Sequence, residues 1–262
     1  MIHKSHWFYR NILSLKPVVL EQKQHSDIKN IKVGIFYVDY INFINRKYKK
    51  IGNNSYACGL RNLHILKDLS EIHNIDLNLL ISRDTTDVVT SYPFDLPIRY
   101  VKNYGTDVST IAQSLDLIQN YDIVCICNSS APTYSIKRFL NNAFSHMFKN
   151  LHHNSSFIIG VNANSRPSPS FKYFHRKSKH IITNCFITRS SDLIQILKAY
   201  ETTNDYRIWG NKYFAIRNYE LQLSNSVLHS NGFISYVNNT ILSLPNDCKQ
   251  WPKYDTRLII KP

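Results

Sequence analysis

The stretch Tyr121-Asp-Ile-Val-Cys-Ile-Cys-Asn-Ser-Ser-Ala-Pro132 sets the terms on which the rest of the chain can fold. Its apolar run, Ile123 to Cys127, is too short for a helix and too apolar for a surface loop, which predicts a buried strand. The run stops abruptly at Asn128, Ser129 and Ser130, and Pro132 closes the turn. Ligands of open α/β sheets collect outside the carboxyl ends of strands, and these three residues offer hydroxyls, an amide and backbone N–H groups there. The same residues also suit an ordinary helix N-cap, and local chemistry leaves both readings open.

The flanking sequence supplies elements of the same class. Lys32 to Val38 reads as a β-branched and aromatic strand. Leu60, Leu63, Leu66 and Leu69, with Ile65 and Ile72, mark an amphipathic helix over 56–73 capped by Asn53, Asn54 and Ser55. A second strand spans Ile75 to Ser82, and the Asp84-Thr-Thr-Asp87 acidic pair beyond it reads as a turn. Pro93 and Pro97 interrupt the next piece, before a short strand from Ile98 to Val101 and a helix from Val108 to Leu117. Strand and helix in alternation predict an α/β fold with a mostly parallel central sheet.

Beyond Pro132, Ile136, Leu140, Phe144, Met147 and Phe148 give a helical pattern, and Phe157 to Val161 another apolar strand. The proline-rich segment from Asn162 to Pro169 is a candidate binding loop. His180 to Thr188 reads as one strand, Asp192 to Tyr200 as a helix, and 217–230 as a helix ended by Asn231-Gly232, with glycine at the left-handed C′ position. Phe233 to Val237 is a last strand. Three segments result: a basic and aromatic extension over 1–30, an α/β domain over 31–243, and an irregular tail over 244–262.

Lys and Arg number 32 against 18 acids, a net charge of +14, so an anionic partner is expected: a nucleotide, an anionic lipid surface, a pyrophosphate-linked lipid or a nucleic acid. The five cysteines are odd in number and lack a Cys-x-x-Cys pair, which supports neither a disulfide framework nor a zinc site and fits a reducing cytoplasm. No secretory signal or run of about 18 apolar residues is apparent. Trp7, Phe8, Tyr9, Ile12, Leu13 and Leu15 among basic residues suit either peripheral contact with an anionic membrane or docking on the body of the protein.

Nucleotide-binding and hydrolase signatures are missing. The seven glycines form neither Gly-x-Gly-x-x-Gly nor a P-loop, and there is no Gly-x-Ser-x-Gly elbow or His-Glu-x-x-His pair. What remains is a set of polar groups at strand ends, Asn128, Ser129, Asn162, His180 and Asn184, with one helix carboxylate, Glu220. In order and spacing, Asp122 to Pro132, Gly160-Val-Asn-Ala-Asn164, His180-Ile-Ile-Thr-Asn-Cys-Phe186 and Glu220-Leu-Gln-Leu-Ser224 resemble bacterial capsule and O-antigen glycosyltransferases. The rhamnan-synthesis F-like family is the group they resemble most, over roughly residues 30 to 240.

The resemblance implies a GT-A-like fold, a nucleotide-sugar donor and a growing surface-polysaccharide acceptor. It casts Glu220 as the base that deprotonates the acceptor, with His180 donating to diphosphate oxygens or positioning the acceptor. Asn128, Ser129, Ser130, Asn162 and Asn184 become donor-binding residues, with Asn184 placed on the strand face of His180. Arg166, Arg207 and Lys212 are candidates to neutralise the leaving diphosphate. The chain departs from the pattern twice. Ala131 stands where the family has glycine before proline, and neutral Asn128-Ser-Ser130 stands where many GT-A enzymes carry a metal-binding Asp-x-Asp, so no metal ligand is assigned. A helix carboxylate and a strand-end histidine also have ordinary structural uses. A basic nucleic-acid-binding module and a catalytically inactive, transferase-like assembly protein are the alternatives, although no nucleic-acid recognition motif appears.

Overall fold

The computed structural model describes residues 18–21, 31–40, 49–50, 56–57, 59–84, 94–131, 133–144, 156–161, 163–164, 180–181, 183–200 and 205–236. Strand β1 (Val33–Tyr40) shows why both faces of the sheet are covered. With a side-chain period of two, Ile35 and Tyr37 enter one core layer, and Phe36 and Val38 the other. All four are fully buried, which demands helices on both sides.

After β2 (Lys49–Lys50) and β3 (Tyr56–Ala57), a small antiparallel pair, comes helix α1 (Gly59–His73). The predicted helix starts three residues later than expected because Tyr56 and Ala57 pair as a strand. Leu63, Leu66 and Leu69 are buried, each contributing roughly 1.5–3 kcal/mol by leaving water. Leu60 and Ile72 are exposed, since a threefold spacing drifts around a helix of 3.6 residues per turn.

Strands β4 (Asp76–Arg83) and β5 (Ile98–Lys102) follow. The single helix expected over 108–117 is two, α2 (Asp107–Ala112) and α3 (Leu115–Ile118). The Ser114 hydroxyl at their junction donates to the Thr110 carbonyl at 3.0 Å, a local bond of the kind that competes with helical pairing. Strand β6 (Ile123–Asn128) is buried throughout, as its apolar run predicts. Then come α4 (Thr133–Asn142), β7 (Phe157–Gly160), β8 (Ala163–Asn164), β9 (His180–Ile181) and β10 (Cys185–Arg189).

The strand predicted from His180 to Thr188 is therefore two pieces, separated by a turn at Thr183 and Asn184. Asn184 does not share a strand with His180. Beyond α5 (Ser190–Lys198) lie a 3-10 turn (Tyr206–Gly210), α6 (Lys212–Ala215), a π-helical turn (Ile216–Leu221), α7 (Gln222–His229) and β11 (Phe233–Tyr236). The last helical run thus begins at Lys212, five residues ahead of the sequence-based start.

The main sheet has the order β11-β7-β10-β6-β1-β4-β5. β1, β4, β5 and β6 are parallel, β7 and β11 are parallel to each other, and β10 is antiparallel to both β6 and β7. Six strands therefore point one way and β10 alone runs back, within the mostly parallel α/β architecture, a central sheet flanked by helices, that the sequence leads one to expect. α1 and α4 pack on one face; α2, α3, α5 and α7 cover the other.

Part of the N-terminal extension docks on the body. Leu20 is buried in the second core layer, and the Val18 N–H donates to the Ser226 hydroxyl at 2.9 Å. The expected cap at 53–55, Met147, Phe148, the aromatic segment before residue 18 and the tail over 244–262 lie outside the described residues. No described helix is long and apolar enough to cross a membrane.

The C-terminal cap of α7 differs from expectation. The left-handed residue is Asn231, at φ 56°, not Gly232. Gly232 is required by close approach: a Cβ there would lie 2.3 Å from the Ser156 carbonyl oxygen and 2.7 Å from that of Val227. Gly232→Ala is accordingly expected to cost about 1–3 kcal/mol through overpacking. Asn231→Gly, which relieves a left-handed side chain, should change stability by less than about 1 kcal/mol. Urea denaturation midpoints of the two variants check the assignment; a larger loss for Asn231→Gly would contradict it.

Candidate functional site

β1 leads to β4 on one side, whereas β6, reached after β5, lies on the other side of β1. The carboxyl ends of β1 and β6 therefore flank the point where strand order reverses, the usual ligand position in such sheets. The Ser129 N–H donates to the Val38 carbonyl at 3.0 Å and stitches the two ends together.

A cleft of about 440 Å³ opens beside the end of β6. Gly105, Thr106 and Asp107, at the entry to α2, make one wall; Asn128 and Ser130 make the floor. Thr183 and Asn184 come from the turn before β10, and the final helical run supplies Lys212, Ala215, Ile216, Tyr219 and Glu220. The spacing of those last five, three then one then three then one, is a single helical face. Two walls are locked together near Gly105: the Thr106 hydroxyl donates to the Trp209 carbonyl at 2.6 Å, and a Cβ on Gly210 would meet the Tyr104 carbonyl oxygen at 2.0 Å.

The polar groups form two linked sets. In the first, the Asn128 amide donates to the Asp107 carboxylate while its carbonyl accepts from the Ser130 hydroxyl at 2.9 Å. In the second, Glu220 Oε2 accepts from the Thr183 N–H at 3.2 Å and from its hydroxyl at 3.1 Å. His180 Nε2 faces Glu220 Oε1 at 3.4 Å, with its side chain 6% exposed and that of Glu220 18%. One turn further along, the Ser224 hydroxyl accepts from the Ile181 N–H at 3.0 Å. The Glu220-x-x-x-Ser224 and His180-x-x-Thr183 patterns thus interlock: the helix grips the 181–183 backbone at two points. The Asn128 N–H donates to the Asn184 carbonyl at 2.9 Å, which joins the sets.

Of the residues singled out by sequence, Asn128, Ser130, Asn184, Lys212 and Glu220 line the cleft. His180 is buried against Glu220 and is not among the residues that line the cleft. Ser129 is buried and turned toward β1, where it hydrogen-bonds Asp39. Arg207 is not a cleft residue; its guanidinium pairs with Asp205, Nε to Oδ1 and Nη2 to Oδ2 at 2.7 Å each, on an exposed surface. That pairing holds the Asp205 carboxyl below its ordinary range and raises the Arg207 guanidinium. Asn162 and Arg166 lie outside the described residues. Among the described residues, no three His, Cys, Asp or Glu side chains are grouped to hold a metal ion.

Sequence reasoning missed Asp107, Tyr219 and Asp39. The Thr106-Asp107 start of α2 and the Lys212-x-x-Ala215-Ile216-x-x-Tyr219-Glu220 periodicity were the available signals for the first two.

No protein-family model and no curated protein sequence matches the chain. Among solved structures it is similar to 4-diphosphocytidyl-2C-methyl-D-erythritol synthase from Anaerococcus prevotii, with TM-score 0.44, 13% identity and coverage of 79% of this chain and 98% of that one. It is similar also to 2-C-methyl-D-erythritol 4-phosphate cytidylyltransferase from Francisella tularensis (TM-score 0.43, 13% identity, 84% and 99% covered). A third is UTP-bound UGPase from Acinetobacter baumannii (TM-score 0.36, 7% identity, 79% and 86% covered). Likenesses this distant assign neither a family nor an activity.

Asp39, at the end of β1, is 1% exposed. Burial pushes its carboxyl up to about 7, against hydrogen bonds from Ser129, the Tyr40 N–H and Tyr37 that favour ionisation. The Tyr37 hydroxyl lies 3.0 Å from both Asp39 Oδ2 and the Gly59 carbonyl oxygen, yet it has one proton. The ionised Asp39 accepts from Tyr37; when protonated, Asp39 can instead donate to Tyr37 and free the Tyr37 proton for Gly59. Asp192, also buried, is raised to about 6, with Arg189 opposing the shift.

Both folded values exceed the unfolded one, so the native state binds more protons between about pH 4 and 7 and stability falls as pH rises through that window. Asp39→Asn, whose amide can donate to Tyr37 in the same way, should flatten the decline. Urea midpoints measured from pH 4 to 8 check this; a slope as steep in the variant would refute the assignment.

Proposed function

We propose that this protein is a glycosyltransferase that moves a sugar from a nucleotide-sugar donor to a hydroxyl of a growing glycan. The observation that carries this reading is the convergence of Glu220, Asp107, Asn128, Asn184 and Tyr219 on one cleft outside the carboxyl end of β6. Glycosyl transfer to a hydroxyl needs a base for the acceptor proton, groups that orient sugar hydroxyls, and a cleft that limits water. Glu220 serves as the base. Its Oε2 is oriented by the two Thr183 donors, while His180 Nε2 faces Oε1. The acceptor proton passes to the carboxylate as the acceptor oxygen bonds the anomeric carbon, and the nucleotide leaves with the electron pair of the broken bond.

The donor lies across the switch point. Asn128 and Ser130 hold it, with Ser129 bracing the turn from behind through Asp39, and Lys212 at the exposed rim offers a cation to the leaving diphosphate. The order of the strand-end motifs, with its resemblance to capsule and O-antigen enzymes, makes a lipid-linked surface polysaccharide the proposed acceptor. A basic protein meets such an anionic acceptor at a membrane surface.

The test is incubation with UDP-, GDP-, CMP- and dTDP-linked sugars, with and without Mg²⁺, scoring release of free nucleotide. Glu220→Gln, which can still accept from Thr183, should lower kcat by about 10²–10⁴ while the donor KM changes little. Unaltered turnover in Glu220→Gln would remove the base from this scheme. Turnover of nucleoside triphosphate and sugar phosphate with release of pyrophosphate would replace glycosyl transfer by nucleotidyl transfer.

A further inference from the structure

Two residues that line this cleft each carry a buried polar atom with no hydrogen-bond partner among the described residues. The Tyr219 hydroxyl and the Asn184 side-chain carbonyl are both shielded from solvent and have no hydrogen-bond partner among the described residues. Tyr219 as a whole is 1% exposed, yet it forms part of the cleft wall beside Glu220, as Asn184 does beside Thr183. Both residues are anchored. The Tyr219 ring packs edge-on against Phe186, with centroids 6.2 Å apart, and the Asn184 backbone is tied to Asn128. Tyr219 also sits on the π-helical turn, a distortion frequent at functional sites.

The chemistry around them restricts the ligand. Burial raises the Tyr219 phenol well above its ordinary range, and the Glu220 and Asp107 carboxylates push it the same way. The phenol therefore keeps its proton and can donate. Asn184 contributes a carbonyl acceptor, and Asp107 and Glu220 add carboxylate oxygens on neighbouring walls. A diphosphate brought against two carboxylates is repelled, and Lys212 stands at the exposed rim, whereas a ring bearing several hydroxyls can both donate to the acceptors and accept from the phenol.

We propose that Tyr219 and Asn184 form a subsite for the uncharged, polyhydroxylated part of the ligand, a pyranose ring, with the Tyr219 O–H donating to one ring hydroxyl and Asn184 Oδ1 accepting from another. This rests on the glycosyl-transfer reading and adds to it the end of the donor that occupies the inner cleft. The diphosphate lies outward, toward Lys212.

Calorimetric titration of wild type, Tyr219→Phe and Asn184→Ala with the nucleotide sugars above and their matching nucleotides separates the possibilities. Loss of one ligand hydrogen bond corresponds to about 10-fold in Kd for the nucleotide sugar, with the matching nucleotide changed by less than about 2-fold. The thermal midpoint of Tyr219→Phe should be unchanged or higher, because the variant deletes a buried hydroxyl that bonds nothing among the described residues. Equal losses on nucleotide sugar and nucleotide, or no loss on either, overturn the subsite, as does a lowered midpoint accompanying loss of both. If wild type binds no nucleotide or nucleotide sugar, the glycosyl-transfer reading fails. Saturation-transfer NMR with glucose, galactose, N-acetylglucosamine and rhamnose then decides the subsite: it stands if a free sugar binds and Tyr219→Phe removes the signal, and falls otherwise.

Discussion

The Asn128 N–H donates to the Asn184 carbonyl at 2.9 Å, and this bond continues the antiparallel ladder in which Cys185 stands opposite Cys127. Because β10 runs against β6, the start of β10 lies beside the end of β6. In a parallel pair it would be the end of β10 that came there, and Thr183 and Asn184 would be carried to the opposite edge of the sheet. The reversal of one strand thus delivers the turn before β10 to the carboxyl edge, where Asn128 and Ser130 already stand. A cleft with walls from four separate chain segments depends on that pairing.

The helical run from Lys212 completes the cleft and is held to the same turn. Glu220 accepts two hydrogen bonds from Thr183, and Ser224 accepts one from Ile181, so successive turns of one helix face grip adjacent backbone. Hydrogen bonds to a charged acceptor are worth about 1.5–3 kcal/mol each, more than neutral ones. The carboxylate proposed as the base is consequently also part of the scaffold. This limits how far Glu220 can move and fixes the orientation of its lone pairs relative to the cleft, which is the preorganisation that proton transfer requires.

What the sequence made legible follows the same physics. β6 could be read because a strand buried on both faces must be continuously apolar, and its polar end could be read because that run stops at Asn128. The order of the Asn128, His180 and Glu220 segments pointed to residues that do converge around one cleft and its backing. The break at Thr183 was hidden: Ile181, Cys185, Phe186 and Ile187 are apolar on both sides, and no glycine or proline marks the turn. Arg207, a candidate for the leaving diphosphate by residue type, is instead paired with Asp205 two residues away, and local pairing of that kind is common on surfaces. Asp39 lies just past the strand read to Val38, and only the folded arrangement of Tyr37, Ser129 and Gly59 reveals a buried acid in a hydrogen-bond chain.

The charge distribution gives the site its remaining logic. The chain carries a net +14, yet the inner cleft presents two carboxylates and its lining cation, Lys212, is exposed. Surface charge acts over about a Debye length, ~8 Å at physiological ionic strength, so scattered cations raise the local concentration of an anionic ligand without contacting it. Contact chemistry is then set by the inner wall, which is rich in acceptors and repels charge of the same sign. A ligand with one anionic end and one neutral, hydroxyl-bearing end meets both demands: the field draws in its phosphates, and the carboxylates keep them at the rim while the neutral end enters. A ligand anionic along its whole length, such as a nucleic acid, meets only the first.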